Sequence, residues 1–223
     1  IDKAWKIYET KDKAKRQKKT DAFLRQHHNM WLRIRFLGVF DTVAALGVPN
    51  KTVSRILDKI PMMRHKFHNL DLCASVENAY QALAIDDELK TFHPLIWNPE
   101  TKDYQHMEQV WFAGVHTDVG GGYKEPELSD VSLQWMINKA TTHGIHIYPH
   151  IKVELNHDIN LKMHVRFDGL IGYIWRWVTR SWDYAKHGPP TIHRTVKDRV
   201  KDITNAEASE YQPWIMTNDY NVV

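Results

Sequence analysis

The sequence predicts an α/β fold, a largely parallel sheet flanked by helices. Three observations lead there. Two short apolar runs, "IRFLGVF" at 34–40 and "EQVWFAGVH" at 108–116, are too short for core helices and read as buried strands. Between and after them stand segments with a helical period. Strand, helix, strand, helix along one chain is the pattern of parallel strands joined by crossovers.

The elements follow in order. Residues 2–28 read as one or two helices with Trp5, Tyr8, Phe23 and Leu24 as the buried side chains. The first strand ends on Asp41. Residues 49–68 carry a Pro49-Asn50 turn and a mixed segment broken by Pro61. In "SVENAYQALAIDD", Val76, Ala79, Tyr80, Leu83 and Ala84 share a helical face, and Ser75 suits an N-cap. The second strand leads to His116. "ELSDVSLQWMINKATTHG" reads as a helix capped by Ser129 or Asp130 and stopped by Gly144. Beyond residue 150 the pattern weakens.

The chain has 223 residues, enough for one sizeable core. No apolar run nears the roughly 18 residues of a membrane span, and no secretory signal opens the sequence. A soluble protein is expected, cytoplasmic or secreted without a signal peptide. A single cysteine, Cys73, excludes an internal disulfide and a cysteine-rich zinc site. The net charge of +3 is unevenly spread: residues 1–35 hold eleven Lys and Arg against four Asp and Glu. The basic run at 11–19 could touch phosphates, but a solvated helix face explains it more simply, and no nucleic-acid partner is expected.

The chemistry sits at the strand tips. Ligands of open parallel sheets bind outside the carboxyl ends of the strands. Asp41 and His116 both fall there. An aspartate can fix an imidazole in one tautomer, and the imidazole can then move protons near neutral pH. Thr42 follows the acid. Asp118 is a rival partner for His116, although its spacing fits a helix cap or loop hydrogen bond better. Gly120, Gly121 and Gly122 let the backbone turn beside the site. A serine elbow is missing, so spacing alone supplies two members of a triad.

Two further groups invite a role. His143, His146 and His150 suggest a metal site, but their spacing does not converge on one point, and no metal is expected. The segment 173–186 is rich in aromatic and basic residues. If it meets lipid, Tyr173, Trp175, Trp177 and Trp182 would be exposed beside Arg176 and Arg180. Core packing of a helix is the simpler reading of the segment.

Together, "IRFLGVFDTVAALGVP", "AYQALAIDDELKTFHPLIW" and "QVWFAGVHTDVGGGYKEPELSDVSLQWM" resemble the α/β-hydrolase family that includes type VI secretion lipase effectors. "TIHRTVKDRV" is similar to that family's closing segment. The resemblance covers about Trp5 to Met136. It implies that Asp41 and His116 are the acid and base of a catalytic triad, and that the serine lies upstream of "AWKIY", before Ile1. The whole of 1–223 would then be the C-terminal part of one hydrolase domain, incomplete at its N-terminus, with 1–35 a basic helical segment. Implied too are a phospholipid or ester substrate, peripheral membrane contact, a secretion or immunity partner, and no metal or organic cofactor. The family often has histidine where this chain has Gln81. A truncated, non-catalytic hydrolase fold that binds lipid or a partner protein is the alternative reading.

Overall fold

Five parallel strands form one sheet in the order β1-β2-β3-β4-β5. The computed structural model describes residues 2–27, 32–43, 70–88, 93–148, 155, 163–164, 178–201 and 211–223. β1 is Leu37–Phe40, β2 is Asn78–Ala84, β3 is His106–Phe112, β4 is Thr191–Ile192 and β5 is Asn221–Val222. Leu37 pairs with Ala79 and Phe40 with Ala82, while Asn78 pairs with His106 and Ala84 with Phe112. β4 continues the sheet from Val110 and Trp111. The chain therefore has the expected α/β fold.

Helices cover both faces. α1 is Asp2–Tyr8, α2 is Lys13–His27, α3 is His116–Gly120, α4 is Glu127–Thr142, α5 is Tyr184–His187 and α6 is Arg194–Lys201. Side chains alternate along β2 and β3, so each strand feeds two cores. Tyr80, Ala82, Ala84, Val110 and Phe112 face α3 and α4, against Val119, Val131, Trp135 and Met136. Leu83, Ile85 and Trp111 face the other way, against Ile192, Val196, Tyr211 and Ile215.

The helix expected over 75–87 is instead β2. A central parallel strand is buried on both faces, so its apolar run carries no period of two. The positions fitting a helical face, Val76, Ala79, Tyr80, Leu83 and Ala84, are all buried, as is every residue of β2 after Asn78. Ser75 caps nothing there; its carbonyl accepts from the Ile34 N–H at 2.7 Å. β1 is half-buried rather than fully buried. It lies at the edge of the sheet among the described residues.

α4 forms where expected, with boundaries slightly shifted. Its buried positions Val131, Ser132, Trp135 and Met136 recur at helical spacing. It begins after Pro126, so Ser129 and Asp130 lie in its first turn rather than capping it; the Ser129 hydroxyl donates to the Pro126 carbonyl at 2.8 Å. Asp130 there complements the helix dipole. Gly144, at φ 87°, ends it as expected, its N–H bonded to the Thr141 carbonyl at 3.0 Å.

The N-terminal region is a pair of helices, but it buries little. Neither α1 nor α2 has a buried residue. Tyr8 and Phe23 are half-covered, while Trp5 and Leu24 are exposed, contrary to the expected burial. The Pro49-Asn50 turn and Pro61 lie outside the described residues.

The two-faced role of β2 is testable. Leu83 has no solvent exposure. Leu83→Ala should lower stability in a denaturant titration by about 2–5 kcal/mol. A change under about 0.5 kcal/mol, typical of surface positions, would contradict its place in the core.

Candidate active site

The carboxyl ends of β1, β2 and β3 lie side by side, and each is followed by acidic or imidazole side chains. Asp41 comes directly after β1. Asp86 and Asp87 come two and three residues after β2. His116 begins α3, four residues after β3. Parallel pairing in register brings these loops to one edge of the sheet.

Asp41 is fully buried and is the only described non-glycine residue at positive φ, 40°. Its backbone N–H continues the ladder to the Ala82 carbonyl at 2.7 Å. The turn aims its carboxylate back across the strand ends, where both oxygens are occupied. Oδ1 accepts from the Ala84 N–H at 2.9 Å and from Arg180 Nη1 at 2.7 Å. Oδ2 meets His116 Nδ1 at 2.6 Å and Arg180 Nη2 at 2.8 Å. Burial pushes the Asp41 carboxyl up, but the hydrogen bonds from His116 and Arg180 and the guanidinium charge outweigh it and hold it below the usual carboxylate range. A carboxylate on Nδ1 makes that nitrogen the donor, so Nε2 carries the lone pair of the neutral ring. The His116 side chain is 27% exposed and that of Asp41 0%: a buried acid behind a reachable imidazole.

The acids after β2 divide their tasks. Asp87, buried, accepts the His116 backbone N–H at 3.1 Å and so fixes the start of α3. Asp86 accepts the Gly114 N–H at 2.6 Å and the Tyr211 hydroxyl at 2.8 Å. Burial pushes the Asp86 carboxyl up to about 6 against those two bonds.

Asp118 does not partner His116. Its Oδ2 accepts the Val115 N–H at 3.1 Å, the helix-terminal bond that its spacing suggested. Its Oδ1 meets His164 Nδ1 at 2.6 Å. Thr42 is one step from the site: its hydroxyl accepts from Gln81 Nε2 at 2.8 Å, and its carbonyl accepts the Leu95 N–H at 2.7 Å. Gln81 thus anchors the residue after Asp41 to β2. Of the glycine triplet, Gly121 and Gly122 take φ of 81° and 121°, while Gly120 closes α3 without positive φ. The tight approach is made earlier, at Gly114. There φ is 110°, and a Cβ would stand 2.5 Å from the Asp118 Cβ.

Arg180 would face lipid phosphates only on the lipid-facing reading of 173–186; it is 2% exposed and lies beneath Asp41, which fits the core-packing reading instead. Trp182 likewise is half-buried. Its Nε1 donates to the Gly188 carbonyl at 2.7 Å, and its ring meets Trp111 edge-on at 5.9 Å. Arg180 is interior and Trp182 packs partly against the core, the arrangement of the core-packing reading. Tyr173, Trp175, Arg176 and Trp177 lie outside the described residues. Nothing local marks Arg180: its partner is 139 positions away. The only hint was the demand of a buried carboxylate for a cation. Among the described residues no group of three or more His, Cys, Asp or Glu converges as metal ligands would. His143 Nε2 instead meets the Tyr80 hydroxyl at 2.7 Å, His146 is exposed, and His150 lies outside the described residues.

The family model described as the catalytic domain of Tle1-like phospholipase effectors of the type VI secretion system matches residues 1–139. This chain belongs to that family. The match takes in both Asp41 and His116 and ends within α4. No curated protein matches the chain. Among solved structures, an uncharacterized protein from Pseudomonas aeruginosa is similar at 22% identity and a TM-score of 0.39, over 57% of this chain and 21% of that one. The Tle1-like chain therefore spans about a fifth of that protein's length. No described helix is long and apolar enough to cross a membrane.

Two outcomes follow from the geometry. Gly114→Ala should cost about 1–3 kcal/mol in thermal or denaturant unfolding, because both φ and the contact with Asp118 oppose a methyl group. The second concerns Asp86. The unfolded carboxyl ionises near 3.8 and the folded one near 6, so between these values the unfolded state holds fewer protons and stability falls as pH rises. Asp86→Asn removes that loss. Relative to wild type it should gain stability between pH 4 and 7, by up to about 3 kcal/mol. His193, which burial pushes down to about 4, titrates in the same window and cancels in the difference. A flat difference across that range would contradict the burial of an ionised Asp86.

Proposed function

We propose that this Tle1-like chain carries the acid and base of a serine hydrolase that cleaves phospholipid or a related carboxylic ester. The observation that carries the reading is the 2.6 Å contact between the buried Asp41 carboxylate and Nδ1 of the partly exposed His116. Membership of a phospholipase effector family supports the substrate class. It also supports delivery by type VI secretion and a cognate immunity partner.

The nucleophile is a serine on a segment preceding Ile1. His116 Nε2 takes the serine proton as the hydroxyl oxygen attacks the ester carbonyl. Asp41 stabilises the imidazolium so formed and keeps the ring from rotating. The imidazolium then gives its proton to the departing alcohol, leaving an acyl-serine. Water attacks that ester, His116 takes the water's proton, and the fatty acid leaves as the serine recovers its hydrogen. Each proton passes through one nitrogen. Asp87 matters here because it pins the backbone from which that nitrogen is aimed.

The test compares two lengths of chain. The 223-residue protein alone should neither hydrolyse phospholipid vesicles nor label with a fluorophosphonate, which reacts with activated serines. A chain extended upstream should do both. In the extended protein, His116→Ala should lower kcat by several orders of magnitude with the fold retained. Wild-type turnover in that variant would reject His116 as the base. An extended chain that binds vesicles yet never hydrolyses them would instead favour a non-catalytic lipid-binding module.

A further inference from the structure

Arg180 is the residue the mechanism above leaves unused, although its guanidinium bonds directly to Asp41 and to the loop after β2. Its guanidinium donates in three directions. Nη1 and Nη2 reach the two oxygens of Asp41 at 2.7 and 2.8 Å, a fork-to-fork pair. Nη1 also donates to the Ala84 carbonyl at the end of β2. Nε donates to the carbonyl of Asp87 at 3.0 Å. Arg180 thereby holds both the acid that orients His116 and the residue whose carboxylate holds the His116 backbone.

Two consequences come from this arrangement. The first is geometric. A carboxylate fixed by a planar fork cannot rotate about its terminal bond. The remaining lone pair of Oδ2 is then aimed at Nδ1 in advance. The second is electrostatic. With a neutral imidazole, Asp41 and Arg180 form a buried pair of zero net charge. Protonating the ring leaves the Asp41–Arg180–His116 group with a net positive charge. Without Arg180, the neutral ring would leave a buried negative charge, and the imidazolium would cancel it.

We propose that Arg180 is a positioning residue for the Asp41–His116 pair: it clamps the carboxylate in the plane that orients the imidazole and, as its counter-charge, biases the ring toward the neutral, proton-accepting form. The proposal rests on reading that pair as acid and base. It goes further in assigning a role to a residue from the 178–183 segment, outside the part of the chain that the family model matches. That segment is tied to the same loops by the Val178 N–H to the Glu88 carbonyl at 2.6 Å and by His93 Nε2 to the Val178 carbonyl at 2.9 Å.

Among the described residues, ionisable groups near the pair include Asp86 and Asp87 after β2 and Asp118, with its partner His164, beside α3. They are common to every variant below. The experiment is an NMR titration of the 223-residue protein, following the His116 ring and the Arg180 Nε–H. In wild type both signals should move with one midpoint, since they share the same carboxylate. An Arg180 signal indifferent to the His116 titration would overturn the clamp, and this measurement requires no variant to fold. In Arg180→Met the midpoint should rise by about one pH unit, a tenfold gain in proton affinity. An unchanged midpoint in a folded Arg180→Met protein would overturn the electrostatic part. Arg180→Lys keeps the charge and loses the fork. Its midpoint should stay near wild type while the deshielded Nδ1–H signal of His116 broadens or disappears. An unaltered Nδ1–H signal in that variant would overturn the geometric part. None of these readouts needs a nucleophile. Absence of hydrolysis in an extended chain would therefore sink the enzyme reading and leave the clamp, whereas silent titrations would sink the clamp alone.

Discussion

A carboxylate with no access to water must find its compensation inside the protein, and Asp41 organises this end of the sheet around that requirement. An unpaired buried charge is costly enough that the group would take up a proton instead. Asp41 avoids that outcome with donors from three parts of the chain: a backbone N–H at the end of β2, the imidazole opening α3, and the guanidinium of Arg180. Each donor is fixed in its own element. The carboxylate thus joins β1, β2, α3 and the segment before α5. The positive φ of Asp41 belongs to the same account. Aspartate is among the few residues that tolerate this region, and strain of order 1 kcal/mol is offset by the bonds that the turn makes available.

The same strand order explains what the sequence discloses. β3 and α4 were readable because one is a short apolar run and the other a clear helical stripe ended by Gly144. Asp41 and His116 were readable because each ends an apolar run, and their meeting follows from parallel strands whose tips, on either side of β2, share one end of the sheet. β2 was not readable. Its burial on both faces erases the alternation by which a strand is known, and its alanines favour a helix locally. Pairing with β1 and β3 overrides that preference. Arg180 was opaque for a different reason. Arginine among aromatic residues fits a membrane surface and a buried ion pair equally well, and only the three-dimensional position of Asp41 decides between them.

The N-terminal helices show the opposite balance. α1 and α2 bury no side chain completely. They are held to each other and to the body by exposed polar contacts, such as Lys3 Nζ to Gln26 Oε1 at 3.0 Å and Lys13 Nζ to Asp71 at 3.0 Å. Exposed ion pairs contribute little, about 0–1 kcal/mol. The basic residues at 11–19 accordingly sit on a solvated helical surface, the simpler of the two readings of that run. Stability resides in the sheet and its two apolar faces, and the site draws its rigidity from there.

Two carboxylates on neighbouring strand ends carry opposite tendencies, and the contrast shows how this end of the sheet sets charge. Asp41 is fully buried and Asp86 partly so. Asp41 has a guanidinium in bidentate contact and is held below its ordinary range; Asp86 has a backbone N–H and a tyrosine hydroxyl and is pushed up to about 6. Neutral donors favour an ion less strongly than a charged fork does. Arg180 and Arg199 both act on Asp86 only through distance, and burial outweighs them. The difference is useful. On the proposed mechanism Asp41 has to stay ionised to stabilise an imidazolium, and the Arg180 guanidinium favours that state. An acid that only ties Gly114 and Tyr211 together can hold its bonds in either state. Asp87, next after Asp86, contributes through geometry: it accepts the His116 backbone N–H and sets where α3 begins. Three aspartates at one sheet edge thus serve as ion, brace and anchor according to which donors the fold presents to each.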